Sequence, residues 1–156
     1  SEKIVEQCFA EHKPLSFEIL DIDYFKQYND RYGHQAGDDC VRAIVALIRQ
    51  MESDQIFCAR YGGDEFVIIY SGMSAEEVCE RAEKLRQDVM ALQIEQRYAE
   101  GSFGVTISQG ICHDIPSNGN KNWDFLHVAD QALYRVKRRG RNRLCMTDIH
   151  GREIEV

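Results

Sequence analysis

The sequence predicts an α/β fold of the α+β kind, in which helices cover a mixed β-sheet. Strand-like and helix-like patterns alternate along the chain in the order β-α-α-β-β-α-β-α-β. One pair of strands is joined by a tight hairpin and the others by helical connections, which favours a mixed sheet over a doubly wound parallel one. A length of 156 residues suits a single domain, which we expect to span residues 1–156.

Five segments are predicted to form the strands. The first is a short apolar run that ends in an acid, which is typical of a buried strand. Only residues 61–64 separate the second strand from the third, and a double glycine at so short a connection is typical of a hairpin. The predicted strands are 15–21, 56–60, 65–71, 104–112 and 143–147.

Helical patterns fill most of the intervals between the strands. Apolar residues recur three and four positions apart in segment 36–50, which places them on one helix face. Ser74 can cap the start of the helix that follows it, and Gly140 suits the position just after the last helix. The predicted helices are 24–32, 36–50, 74–92 and 124–139, with a loop over 114–122.

Composition and charge exclude several classes of function. Acidic residues outnumber basic ones by 26 to 19, and a net charge of −7 opposes the wrapping of duplex nucleic acid, so we expect no nucleic-acid partner. No apolar run could span a bilayer, and we expect a cytoplasmic domain, within a protein that another segment could anchor to a membrane. The six cysteines form no CxxC pair and are expected to be reduced core residues.

An acidic cluster, Asp21 and Asp23, lies at the end of the first predicted strand. The arrangement of the two carboxylates depends on where the strand ends. If it ends at Asp21, that carboxylate and the carbonyl of Ile22 can converge on one cation, and such hard oxygen ligands suit Mg²⁺. Taken alone, this cluster is more typical of an ordinary acidic strand end.

A second acidic cluster is the turn Gly62-Gly63-Asp64-Glu65-Phe66. Two glycines let a backbone approach a bulky ligand, and two acids follow at once. Acids at a hairpin tip can also simply keep a sheet edge soluble. Together the two clusters favour a function, because neighbouring strands that end in carboxylates are similar to the centre of two-metal phosphoryl-transfer enzymes.

Four motifs extend these clusters over nearly the whole chain. They are DIDYFKQYNDRYGHQAGD over 21–38, RYGGDEF over 60–66, VTISQG over 105–110 and ADQALYRVKRRGRN over 129–142. In this order they resemble the DxDxFKxxND…GHxxGD, GGDEF, VTxSxG and ADxALYxxKxxGRN motifs of the GGDEF-domain family, the diguanylate cyclases.

The resemblance implies an enzyme that joins two GTP molecules into cyclic di-GMP and releases two pyrophosphates. It implies a fold similar to the polymerase palm and the nucleotidyl cyclases, with a five-stranded central sheet flanked by helices. Each domain would bind one GTP, and two domains would meet head to head as a homodimer. Two Mg²⁺ ions would serve each active site, with Mn²⁺ a plausible substitute.

The resemblance also assigns roles to residues of this sequence. Asp21, the Ile22 carbonyl and Asp64 would hold metal, and Glu65 would lie beside the attacking hydroxyl and the second metal. Asp64, Glu65 and Lys26 are the expected catalytic residues, and sequence leaves open whether Asp64 or Glu65 is the base. The expected substrate-binding residues are Asn29 and Asp38 for guanine, Lys26, Lys137 and Arg141 for the triphosphate, Gly62 and Gly63 in the turn, and His34.

The chain departs from the family pattern in two places. Ser53 and Ile56 occupy the positions of the RxxD motif that binds inhibitory product, so we expect weak feedback inhibition or none through that site. The DxLTGLxNR segment that usually precedes the first strand is missing, and residues 4–10 would be the tail of the first helix. We therefore expect a fragment of a longer protein, whose missing part includes a sensor or dimerising domain.

Three other functions remain as alternatives. A domain of the same fold could bind GTP or cyclic di-GMP and regulate a neighbour without turnover, although the usual damage to the glycine turn or to Asp21 is not seen. A nucleotidyl cyclase or polymerase-like enzyme could use ATP, but Asn29 and Asp38 suit guanine, whose N1 and N2 are both donors. A purely structural interaction domain leaves both acidic clusters without a purpose.

Overall fold

The computed structural model describes residues 2–96, 104–117 and 119–156. The predicted loop over 114–122 includes residue 118, which lies outside the described residues. The helices and strands, numbered in chain order, are α1 (Glu2–Glu11), β1 (Leu15–Ile22), α2 (Phe25–Tyr32), α3 (His34–Arg49), β2 (Ile56–Arg60), β3 (Glu65–Ser71), α4 (Ala75–Ala91), β4 (Ile107–Asp114), α5 (Asn122–Arg138) and β5 (Leu144–Thr147).

The strands form one mixed sheet, as predicted. Their order in the sheet is β2-β3-β1-β4-β5. The central strand β1 is antiparallel to β3 and to β4, and β5 is parallel to β4. In the register of β1 and β3, Asp21 lies opposite Glu65. The end of β1 and the start of β3 therefore meet at one edge, which brings the two acidic clusters together.

Each face of the sheet has its own apolar core. On one face, Leu20 and Ile22 of β1 pack with residues of α3 and α4. On the other face, Phe17 and Ile19 of β1 pack with residues of α1 and α5, among them the fully buried Phe125. The alternation of β1 explains this division, because successive side chains of a strand point to opposite faces. A sheet covered on both sides presents its functional groups only at strand ends.

The boundaries differ from prediction by a few residues where a turn, and not the hydrophobic pattern, sets them. Helix α3 begins at His34 and not at 36, because Gly33 adopts a φ of 91° and reverses the chain directly after α2. Strand β4 runs over Ile107–Asp114 and not 104–112, since its pairing with β1 sets its ends. The capping box of Ser74 and Glu77 confirms the predicted start of α4.

All six cysteines are free thiols, as predicted; Cys58 and Cys79 are half-buried and the others are buried. In the parts of the chain that the structure describes, no helix combines the length and hydrophobicity that crossing a membrane requires.

Candidate functional site

The first group of site residues is a set of three carboxylates where β1 and β3 meet. Asp21 and Glu65 are paired across the strands, and Asp64 precedes Glu65 in the hairpin turn. The N–H of Ile22 donates to the backbone carbonyl of Asp64 at 3.2 Å, which ties the turn to the end of β1. The sequence predicted these residues as metal ligands, and the structure brings them together.

The crowding of the carboxylates changes their protonation. Burial, together with the nearby side chain and negative charge of Asp21, raises the pKa of Asp64 to about 7. Burial also raises the pKa of Glu65, with a further contribution from Asp21 that is opposed by Lys137. Both carboxyl groups therefore hold protons at a higher pH than usual when no cation is bound, and Asp64 can exchange its proton near neutral pH.

Lys137 of α5 forms an ion pair with Asp21, and its Nζ lies 2.6 Å from Asp21 Oδ2. The other oxygen, Asp21 Oδ1, is buried and has no hydrogen-bond partner among the described residues. A buried carboxylate oxygen without a partner is unfavourable, because it has lost its contact with water. A positively charged ligand at this oxygen would remove that penalty.

The carboxylates meet some of the requirements of a divalent cation. Among the described residues, no group of three or more His, Cys, Asp or Glu side chains is placed so that it could hold a metal ion. Mg²⁺ does not need one, because it is commonly held by one or two carboxylates and keeps several waters. The unpartnered Asp21 Oδ1 and the raised pKa of Asp64 both indicate negative charge that a bound cation would compensate.

Arg60 fixes the shape of the glycine turn. Its Nε donates to the carbonyl of Gly62 at 3.0 Å, and its Nη2 donates to that of Gly63 at 2.5 Å. A Cβ added at Gly63 would meet nothing within 4 Å, and one at Gly62 would meet only Glu65, at 3.8 Å. The turn itself therefore does not require glycine, and the missing side chains leave its outer surface open to a ligand.

A second group surrounds Arg141, just after α5. Its guanidinium carbon lies 4.6 Å from the centre of the Tyr24 ring, and its Nη1 lies 3.9 Å from Asp23 Oδ1. Asp23 is buried and accepts hydrogen bonds from Thr106 Oγ1 at 2.7 Å and Ser108 Oγ at 2.6 Å. Burial raises the pKa of Asp23 although these donors oppose it. Asp21 and Asp23 therefore have different cationic partners, Lys137 for Asp21 and Arg141 for Asp23.

The third group lies at the junction of α2 and α3, where the expected guanine ligands are found. Asn29 of α2 faces Gly37 of α3, and Asn29 Oδ1 is buried without a hydrogen-bond partner among the described residues. Lys26 is exposed in the first turn of α2, and His34 and Asp38 are exposed on α3. Within the described residues, no ion pair or hydrogen bond joins these three to the carboxylates.

Three residues that the sequence analysis did not assign to the site also belong to it. Arg60 holds the glycine turn, and Asp23 lies beside Arg141. Asp130 of α5 is close enough to Glu65 to contribute to its raised pKa. Asp23 directly follows Ile22, and Arg60 lies two positions before Gly62, so closeness in sequence to predicted site residues could have identified both. No local signal identifies Asp130, because a charged residue on a helix is usually solvated.

Comparison with known proteins identifies the family to which the chain is similar. Residues 2–143 match the family model described as diguanylate cyclase, GGDEF domain. A diguanylate cyclase of Vibrio cholerae serotype O1 is 37% identical in a 145-residue alignment that covers 86% of this chain and 40% of that protein. The chain therefore spans about two fifths of the length of this relative.

Two solved structures of DgcB from Caulobacter crescentus, both in complex with c-di-GMP, have the same fold. The GGDEF domain of DgcB superposes on this chain with a TM-score of 0.82 at 32% identity. The match covers 95% of this chain and 85% of the DgcB chain. A longer piece of DgcB, with the coiled coil and the GGDEF domain, gives a TM-score of 0.81 at 30% identity. This match covers 93% of this chain and 75% of the DgcB chain. With a family model that matches most of its length, the chain belongs to the GGDEF-domain family of diguanylate cyclases.

Proposed function

We propose that this domain condenses two molecules of GTP into cyclic di-GMP and releases two pyrophosphates. The observation that carries the proposal is the meeting of Asp21, Asp64 and Glu65 at one edge of the sheet, with Asp21 Oδ1 buried and unpartnered. The names of the matched relative and the c-di-GMP in the DgcB structures support the choice of this reaction.

The proposed metal ligands are Asp21, Asp64, Glu65 and the carbonyl of Ile22, and Mg²⁺ or Mn²⁺ is the proposed ion, two in each site. When bound, such ions neutralise negative charge on the reacting phosphates. Oxygen ligands of this kind suit both ions. The support from this chain is the charge that its carboxylates leave uncompensated.

The bond changes of the proposed reaction need a proton acceptor and cations for the triphosphate. The 3′-oxygen of one GTP bonds to the α-phosphorus of the other, the bond from that phosphorus to pyrophosphate breaks, and the hydroxyl proton passes to a carboxylate. Asp64 and Glu65 both have the raised pKa that suits this acceptor. We propose that Lys137 and Arg141, with Lys26, neutralise the triphosphate.

Selection of guanine is assigned to Asn29 and Asp38, with His34 as a further contact. Asn29 Oδ1 can accept a hydrogen bond from a guanine amino group, which would satisfy an atom that is now buried without a partner. The carboxylate of exposed Asp38 can accept from guanine N1 and N2. Adenine lacks this pair of donors, so the site should bind ATP much more weakly than GTP.

The proposed reaction needs two copies of the domain, because each copy binds one GTP. We propose a homodimer that is brought together by a dimerising or sensor segment outside this chain, in a cytoplasmic setting where GTP is supplied. The coiled coil next to the GGDEF domain of DgcB and the greater length of the Vibrio relative support such a segment.

Feedback through the RxxD position is not part of the proposal. Ile56 is almost completely buried, and Ser53 donates its N–H to the carbonyl of Ile56 at 3.1 Å. An apolar buried side chain at this position cannot provide the carboxylate of the motif. We therefore propose that cyclic di-GMP does not inhibit the domain through this site.

The test is incubation of the purified chain with GTP and Mg²⁺ at several protein concentrations, with cyclic di-GMP measured by chromatography. A specific rate that rises with protein concentration is expected, and Asp64→Asn should abolish it. A coiled coil fused before residue 1 should raise the rate at low concentration. If the fused protein binds GTP but forms no product, the domain is a regulatory module and the proposal is wrong.

A further inference from the structure

The turn that carries Arg141 has an unusual backbone. Gly140, Arg141 and Asn142 follow each other with φ values of 112°, 64° and 49°. Side chains other than glycine adopt this left-handed region rarely, and consecutive examples persist only where the surroundings hold them. The direction of the Arg141 side chain therefore depends on contacts that stabilise the turn.

Three hydrogen bonds connect the backbone of the turn to Asp23, Ser108 and α5. The N–H of Asn142 donates to Asp23 Oδ2 at 3.1 Å and to Ser108 Oγ at 3.3 Å. The N–H of Arg141 donates to the carbonyl of Val136 at 3.0 Å. These bonds hold the backbone amides of the turn but leave the carbonyl and side chain of Asn142 to be satisfied elsewhere.

Arg86 of α4 supplies that remaining contact, from 56 residues earlier in the chain. Its Nη1 donates to Asn142 Oδ1 at 2.9 Å and to the Asn142 carbonyl at 3.3 Å. Glu83, one turn earlier on α4, accepts two hydrogen bonds from the same guanidinium, one of them from Nε at 3.0 Å. The Arg86 side chain is only 18% exposed, and its charge is paired with Glu83.

We propose that Arg86 is a positioning residue for the nucleotide. Arg86 bonds to Asn142 from α4, and Asp23 bonds to Asn142 from the end of β1. The turn that they hold directs the Arg141 side chain toward the triphosphate. The inference rests on the proposed function in one respect, the role of Arg141 as a phosphate contact. Glu83 neutralises Arg86, so Arg86 acts through the turn and not through its own charge.

The first test measures binding of α,β-methylene-GTP, an analogue that cannot release pyrophosphate. Arg86→Met keeps an apolar stem but removes the donors, and we expect binding about tenfold weaker, the effect of losing hydrogen bonds from a charged group. Arg81→Met, an exposed arginine on the same helix, is the matched control and should bind as the unaltered chain does. The double variant Arg86→Met/Arg141→Met should bind no more weakly than Arg141→Met alone. If the two losses add, Arg86 does not act through Arg141 and the inference is wrong.

The second test needs no nucleotide and therefore separates this inference from the proposed function. Hydrogen exchange of the Arg141 and Asn142 amides should be faster in Arg86→Met than in the unaltered chain, whereas Arg81→Met should leave it unchanged. Equal exchange at these two amides would overturn the inference, whether or not the domain binds GTP. Faster exchange with no nucleotide binding by the unaltered chain would instead contradict the proposed function and leave the positioning of the turn supported.

Discussion

The substitution Gly37→Ala tests the proposed guanine site without removing any of its side chains. A Cβ at this position would lie 1.7 Å from Asn29 Oδ1 and 2.9 Å from Asn29 Cγ. Real Cβ atoms essentially never show contacts under 3.0 Å, so the oxygen must retreat by about 1.3 Å or more. The Asn29 side chain can move, and a displaced amide can no longer meet the base.

The expected effect on binding is large and the effect on stability is small. Loss of one hydrogen bond that leaves a buried partner unsatisfied costs about 1–3 kcal/mol, which corresponds to binding weaker by about tenfold to a hundredfold. Gly37 lies within α3, where alanine is favoured over glycine by up to about 1 kcal/mol, so the free energy of unfolding should not fall.

The assay is calorimetric titration of each variant with α,β-methylene-GTP, together with thermal unfolding. Gly119→Ala is the control, because a Cβ at Gly119 meets nothing within 4 Å and the residue is remote from α2 and α3. In an Asn29→Ala background, Gly37→Ala should have no further effect. Binding by Gly37→Ala equal to that of the unaltered chain would refute the assignment of Asn29 to the base.

Four further predictions concern the carboxylates and the regulatory position. Asp64→Asn should abolish formation of cyclic di-GMP while circular dichroism shows an intact fold. Because Asp64 keeps its proton up to a pH of about 7 in the folded chain, the folded state binds more protons than the unfolded state between about pH 4 and 7. Without divalent metal, the free energy of unfolding should therefore decrease over this range, and urea titrations should show a weaker decrease for Asp64→Asn. Lys137→Met removes the ion pair of the mostly buried Asp21 and should lower the free energy of unfolding by about 1–3 kcal/mol, with partial recovery when Mg²⁺ is added; no recovery would argue against a metal at Asp21. Added cyclic di-GMP should leave the initial rate unchanged because Ser53 and Ile56 replace the inhibitory motif, and a rate that falls at micromolar product would contradict this.

Much of the fold follows from local patterns that the sequence displays. The strand and helix segments were predicted to within a few residues, because hydrophobic period, the Ser74 cap and the Gly140 end are each properties of a few adjacent residues. The order β2-β3-β1-β4-β5 did not follow from those patterns. It depends on which strands pair over long separations, and the resemblance to a known family implied five strands without giving their order.

The candidate site was also predicted in part from the sequence and established in part only by the structure. Asp21, Asp64, Glu65 and Lys137 lie in motifs that the sequence displays, and the structure brings them together. The unpartnered state of Asp21 Oδ1 and the raised pKa of Asp64 are not visible in any motif. Both depend on burial and on the distance between carboxylates from different strands, and these exist only after folding.

The sequence by itself determined the residue types that this chemistry needs and the strands that end in them. The tertiary structure alone decided which charges compensate one another: Lys137 with Asp21, and Glu83 with Arg86, which then holds the turn of Arg141. The physical reason is that hydrogen bonds and ion pairs depend on distances of a few ångströms. Residues 56 positions apart reach such distances only when the sheet and its helices have packed.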